Sequence, residues 1–150
     1  MAKISFDGLE EYIKRLAQLD KGTEGACKAA LYEGAAVVHK AIEEEIGTIQ
    51  EGRGIKKANI EGLKNGLGFS GMENSGGSIN IKIGFSGYDS DQTKAYPKGH
   101  PIPMMARAIV RGTSFRTKNG FVSRAVKRSK EKAIEAIRRK LDEILEKNMK

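Results

Sequence analysis

The chain has 150 residues, of which 39% are apolar and 31% charged, a composition that predicts one compact domain over residues 1–150. No apolar run approaches the roughly 20 residues that span a bilayer, so we expect no membrane anchor. Cys27 is the only cysteine, which excludes an intrachain disulfide. The start of the chain predicts an amphipathic helix and not a signal sequence, so we expect synthesis in a reducing cytoplasm.

The net charge of +8 is concentrated towards the end of the chain. Residues 1–103 carry 13 basic and 14 acidic side chains, whereas residues 104–150 carry 14 basic and 5 acidic ones. Such a basic segment is typical of a surface that binds nucleic acid or an acidic protein, but also of a solvated helix face. Composition alone leaves these alternatives open.

Two helices are predicted within residues 1–47. Asp7 and Glu10 have the spacing of a capping box and predict a first helix that ends near Asp20. Alanines predict a longer helix over residues 23–46, in which the small Gly25 and Gly34 allow a neighbouring backbone to approach. The acidic residues 43–45 lie at its carboxyl end, where the helix dipole disfavours anions. We therefore expect nearby basic residues or a partner there, with solvated charges as the simpler alternative.

A hairpin and a long loop are predicted in the middle of the chain. Residues 60–67 predict a short helix, and isoleucines that alternate with polar residues predict a half-buried strand in a hairpin over residues 67–85. Residues 86–103 contain glycines and three prolines but also Tyr88, Tyr96 and His100. Because disordered linkers tend to lack such side chains, we predict a long ordered loop that presents one rigid surface to another protein.

Two more helices complete the predicted fold. The first covers residues 104–110 and ends at Gly112; the second covers residues 120–148 with Asn119 as its N-cap. At 1.5 Å per residue the last helix would be about 42 Å long, so its end is expected to project from the domain. The predicted fold class is α+β: a long Ala-rich helix and a long C-terminal helix packed on a small antiparallel hairpin.

The residues that could carry catalysis are too few and too scattered. The two histidines, His39 and His100, lie on different predicted elements, and a metal site needs three or four ligands. The glycines of residues 62–71 lack the Gly-Lys-Ser/Thr of a phosphate loop. We therefore predict a non-enzymatic protein with no catalytic residues, no cofactor and no metal.

The order of motifs resembles the tailed-phage neck proteins, also called head–tail joining or minor tail-completion proteins. The similarity covers nearly the whole chain and is strongest in four motifs, at residues 81–88 (Ile-Lys-Ile-Gly-Phe-Ser-Gly-Tyr), 96–99 (Tyr-Pro-Lys-Gly), 106–110 (Ala-Arg-Ala-Ile-Val) and 112–116 (Gly-Thr-Ser-Phe-Arg). Two features depart from the family pattern. Arg111 stands where an acidic residue is frequent, and residues 120–125 lack the two prolines that usually precede the final helix.

The resemblance implies a structural subunit of the virion neck, assembled in the host cytoplasm, that joins the tail to the head connector. It implies a homo-oligomeric ring, expected to contain six copies, with the connector and the tail terminator or tube proteins as partners. It also allows for non-specific contact with DNA that passes through the lumen. A phage-like contractile particle without a head is a variant of the same interpretation. The candidate subunit-interface residues are Tyr88, Tyr96, Arg107, Arg111, Thr113, Phe115 and Arg116.

The alternative is a small basic nucleic-acid-binding protein, which the charge of the last third suggests. The candidate basic surface for phosphate contacts comprises Arg124, Lys127, Arg128, Arg138 and Arg139. No helix-turn-helix, zinc finger or ribonucleoprotein motif is visible in the sequence, so the alternative depends on charge alone.

Overall fold

The computed structural model describes residues 2–4, 23–69, 73–75, 78–113 and 118–148. The predicted first helix, over residues 7–20, lies outside the described residues, as do Phe115 and Arg116. Within the described ranges the predicted α+β class is confirmed, because long helices pack on a small antiparallel sheet. The elements are β1 (Ala2–Ile4), α1 (Thr23–Ile46), α2 (Lys57–Gly66), β2 (Leu67–Phe69), β3 (Glu73–Ser75), β4 (Ser78–Phe85), α3 (Ile102–Arg111) and α4 (Phe121–Asn148).

Helices α1 and α4 form the body of the domain and lie antiparallel. Arg128 of α4 donates to the Ala41 carbonyl, and Gly34 lies against Ile137 nearer the other end. Small residues make this contact close: a Cβ built on Gly34 would lie 2.6 Å from Ile137 Cδ1. α1 thus buries its alanine face against the apolar stripe of α4.

The end of α4 does not project as far as expected. Leu141 is buried, and Ile144 and Leu145 pack against the main core. Because α1 runs beside α4 for most of its length, the helix is covered at least as far as Leu145. Any projection of its end is therefore confined to the residues after Leu145.

Strand β4 is the centre of a four-stranded antiparallel sheet with β1 on one side and β2 on the other. The predicted hairpin over residues 67–85 is confirmed by pairing of Leu67 with Phe85, and β3 pairs with the start of β4. Ile81 and Ile83 are buried, as the alternation predicts. Strand β1 was not predicted; it pairs Ala2 with Ile83 and so covers the other edge of β4.

Two short helices flank the strands in the chain, with α2 between α1 and β2 and α3 between β4 and α4. α2 begins at Lys57, three residues before its predicted start, and Asn59 Oδ1 accepts a 2.8 Å hydrogen bond from the Lys56 backbone N–H at its beginning. α3 ends before Gly112, as predicted. The first backbone hydrogen bond of α4 runs from Arg124 N to Gly120 O, which makes Gly120 and not Asn119 the N-cap. Among the described helices, none is both long and apolar enough to cross a membrane.

Candidate interaction surface on the 86–101 loop

The long loop is closed at its base by backbone hydrogen bonds. Tyr88 forms an antiparallel bridge with Pro101, and Asp89 N donates to His100 O at 3.0 Å. Further bonds join Ile102 N to Gly87 O and Ser86 N to Gly66 O, each 2.9 Å long. The loop is therefore attached to the end of α2 and the start of α3. This is the ordered connection that the sequence predicted.

Asp89 is the buried centre of the loop, with its side chain 1% exposed. Its carboxylate accepts hydrogen bonds from the Asn59 amide at 2.6 Å, from His100 N at 2.8 Å and from Asp91 N at 3.1 Å. A buried carboxylate is unfavourable unless several donors replace its hydration. These three donors come from α2 and from both arms of the loop, so one side chain holds the three segments together.

A second carboxylate borders Asp89 and faces a cation. Asp91 accepts a 3.1 Å hydrogen bond from the Lys56 ammonium, which lowers the pKa of the Asp91 carboxyl more than its partial burial raises it. His100 Nδ1 lies 3.4 Å from Asp89 Oδ1 and 3.5 Å from Asp91 Oδ2. Neither contact has hydrogen-bond geometry, so Nδ1 is a buried nitrogen without a hydrogen-bond partner among the described residues.

Two glycines allow the loop to approach α2 closely. Gly99 has φ of +96°, and a Cβ there would overlap the Asp89 carbonyl oxygen. A Cβ on Gly62 of α2 would lie 2.6 Å from Asp89 Cβ. The loop therefore needs a left-handed residue without a side chain at 99 and a bare backbone at 62.

The outer side of the loop carries exposed aromatic residues. Tyr88 is 59% exposed, Tyr96 36% and the adjoining Met104 of α3 38%. The Tyr96 hydroxyl lies 3.7 Å from Met104 Sδ, and its ring packs at 4.7 Å on the ring of His100. We call Tyr88, Tyr96 and Met104 the tyrosine surface. The two tyrosines belong to the loop that Asp89 holds, and Met104 lies in the first turn of α3.

The other predicted interface residues spread along α3 and beyond it. Arg107 follows Met104 by one turn, and Arg111 lies at the end of the helix; both are exposed. Thr113 is exposed just past the helix. The structure thus brings Tyr96 close to α3, while Arg111 and Thr113 lie at the far end of that helix.

The predicted basic surface is divided into paired and unpaired residues. Arg124 contacts Glu45 at 3.3 Å, and Arg128 contacts Glu44 at 3.0 Å and donates to the Ala41 carbonyl at 3.1 Å. These arginines are the basic neighbours that the acidic end of α1 led us to expect. Arg139 contacts Glu135 within α4. Lys127 and Arg138 are exposed and have no ion pair with another described residue.

Asp89 and Asn59 were not among the predicted site residues. Asp89 could have been found from sequence, because an aspartate in a turn-rich segment often accepts a hydrogen bond from the backbone N–H two residues later. Here that residue is Asp91. For Asn59 there was no such signal, because its partner lies 30 residues away in the chain.

The described residues also include a groove of about 460 Å³ between the loop 48–55 and the end of α3. It is lined mainly by that loop, together with Ile109 and Asn119. Within the described ranges, no group of three or more His, Cys, Asp or Glu side chains is arranged to hold a metal ion.

Comparisons with protein families, curated proteins and solved structures find no match to this chain.

Proposed function

We propose that this chain is a non-enzymatic structural subunit of a tailed-phage neck, or of a phage-like contractile particle, and that it joins the tail to the head connector as part of a homo-oligomeric ring. Its proposed location is the virion, with the connector and the tail terminator or tube proteins as partners. Six copies is the proposed ring size. The order of motifs along the chain supports the family, and the loop supports the mode of contact.

The observation that carries the proposal is the tyrosine surface on a loop fixed by Asp89. Tyrosine and methionine are enriched in protein interfaces, where Tyr combines a large apolar area with few rotatable bonds. Because hydrogen bonds already hold the loop backbone, little backbone entropy remains to be lost on binding. A rigid aromatic surface of this kind suits a subunit that must join neighbours in one fixed geometry.

A ring needs two different, complementary surfaces on each subunit, because head-to-tail contacts close only when one patch meets another. A second exposed aromatic pair supports such an arrangement. Tyr32 of α1 is 49% exposed and Phe69 of β2 39%, and their rings lie edge to face at 6.0 Å. We propose that this pair is on the opposing contact surface of the ring.

Native mass spectrometry and electron microscopy of the purified protein test the proposal. Six copies of the 16.4 kDa chain would form a species of about 98 kDa, visible as a ring. Replacing Tyr88 and Tyr96 by Ser should abolish that species and leave the circular dichroism spectrum unchanged. Gln92→Ala, an exposed change on the same loop, is the matched control and should assemble normally.

Co-expression with the neighbouring connector and tail proteins extends the test to the particle. The proposal would be wrong if the wild-type protein stayed monomeric both alone and with those proteins. If the double tyrosine variant assembled like wild type, the subunit contact would have to lie outside the tyrosine surface. Loss of assembly in the Gln92 control would mean that any change in the loop is disruptive.

A further inference from the structure

One long stretch of the chain has no acidic residue. Residues 92–130 contain no Asp or Glu and ten Lys or Arg side chains. The stretch covers most of the loop, all of α3 and the first turns of α4. Its charge can therefore be neutralised only by carboxylates from other parts of the chain or by a partner.

Among the described residues, carboxylates from other parts of the chain neutralise two of these ten cations. Arg124 and Arg128 reach Glu45 and Glu44 at the end of α1. Seven others are exposed and have no hydrogen bond or ion pair to another described residue. These seven are Lys94, Lys98, Arg107, Arg111, Lys118, Lys127 and Lys130.

Five of these cations lie on or between α3 and α4, two helices that meet at the end of α3 and the start of α4. Asn119 N donates to Ile109 O at 3.0 Å, so the two helix ends lie together. Arg107 and Arg111 are four apart on α3, a spacing at which like charges repel and slightly destabilise a helix. We call Arg107, Arg111, Lys118, Lys127 and Lys130 the unpaired basic surface.

We propose that the unpaired basic surface binds the phosphates of duplex DNA without regard to sequence. This goes beyond the ring proposed above and does not depend on it. Duplex DNA has one negative charge per roughly 1.7 Å of axis and is the densest common polyanion, so a contact made by charge alone is strongest with it. The five side chains are flexible cations with no aromatic ring among them, which favours backbone contact over base stacking. The ring of Tyr96, outside this surface, already packs on the ring of His100.

Fluorescence anisotropy of a 30-base-pair duplex, titrated at several KCl concentrations, tests this binding. If all five cations contact phosphates, log K against log salt should have a slope of about −4.5, an affinity loss of about 500-fold between 50 and 200 mM. In the variant Arg107→Gln/Arg111→Gln the slope should weaken to about −2.7, and the same loss should fall to about 40-fold. Arg138→Gln/Arg139→Gln removes the same charge from exposed positions on α4 and should keep the wild-type slope.

Several results would overturn the proposal. The first is the absence of binding to the duplex at 50 mM KCl, and the second is an equal weakening of the salt slope by the two double-arginine variants. The third is binding of a fluorescent polyglutamate as tight as that of the duplex, which would indicate an acidic protein partner. Tighter binding to a single strand that depends on Tyr88 would also overturn it, because the contact would then be base stacking. Native mass spectra of the same variants separate this question from assembly. Loss of the ring in Arg107→Gln/Arg111→Gln would bear on assembly alone, whereas a wild-type salt slope in that variant would overturn the DNA contact whatever its oligomeric state.

Discussion

Replacing Asp89 by Asn should destabilise the domain through the geometry of hydrogen-bond donors, although the two side chains have nearly the same shape. In the wild type one carboxylate oxygen accepts from His100 N and Asp91 N, and the other accepts from the Asn59 amide at 2.6 Å. An asparagine offers one acceptor oxygen and one NH₂ group. If its oxygen takes the two backbone donors, its NH₂ group faces the NH₂ group of Asn59.

Asn59 cannot relieve this conflict by rotating its amide. Its oxygen already accepts from the Lys56 backbone N–H at 2.8 Å, so a flip would turn the NH₂ group towards another donor. At least one hydrogen bond to a charged acceptor is lost, worth about 1.5–3 kcal/mol, and buried donors are left unpaired. We expect a loss of about 2–4 kcal/mol in the free energy of unfolding. For a chain of this length that corresponds to a fall of roughly 5–15 °C in Tm.

Urea unfolding followed by circular dichroism measures this loss, with an unchanged m-value as the check that the native fold is retained. Asp142→Asn makes the same chemical change at an exposed position of α4 that has no partner among the described residues, and it should have an effect within about 0.5 kcal/mol. If Asp89→Asn behaved like Asp142→Asn, the three-donor arrangement would not stabilise the loop in solution, and the reasoning about a prearranged tyrosine surface would be refuted.

Two further predictions concern the helix pair and the pH dependence of stability. Gly34→Ala should lower the free energy of unfolding by about 1–3 kcal/mol, because its Cβ would lie 2.6 Å from Ile137 Cδ1. Gly25→Ala has open space around its Cβ and should raise the free energy of unfolding by up to about 1 kcal/mol. Thermal melts in which both variants shifted Tm in the same direction would contradict this account. The Lys56 ammonium lowers the pKa of Asp91 in the folded state. This pair therefore stabilises the protein fully at pH values above the ordinary carboxyl pKa of about 3.9. The stabilisation is lost as the pH falls through the lowered pKa of the folded state. The difference in unfolding free energy between wild type and Asp91→Asn should therefore shrink below about pH 4, and a difference that grew on acidification would show the opposite linkage.

The long helices and the core strand could be predicted from sequence because each is specified by its own periodicity. The alanines and isoleucines of α1 recur on one face, and Ile81 and Ile83 alternate along β4, so neither pattern needs knowledge of a distant partner. The turn at Gly112 is a local signal of the same kind. Elements of this length contain enough residues for the pattern to exceed chance.

Other features could not be predicted, because they depend on partners far away in the chain. Strand β1 is three residues long and exists through its pairing with β4, about 80 residues later. The Asn59–Asp89 contact joins residues 30 apart, and neither residue belongs to a periodic pattern. The start of α2 was misplaced for a similar reason. Asn59 caps the first turn of α2 and also holds the loop through Asp89, and no periodic pattern marks either contact.

Charge shows the same distinction between local pattern and spatial arrangement. Counting along the chain places a large basic excess after residue 103, and the obvious location for it is the long helix α4. The structure pairs Arg124 and Arg128 of that helix with the acidic end of α1. In the charge count these acidic residues belong to residues 1–103, apart from the basic segment. Unneutralised charge therefore lies on both helices: Arg107 and Arg111 of α3 and Lys127 and Lys130 of α4 have no carboxylate partner among the described residues. A net charge identifies a class of partner, but only the pairing of individual side chains identifies the surface that partner would contact.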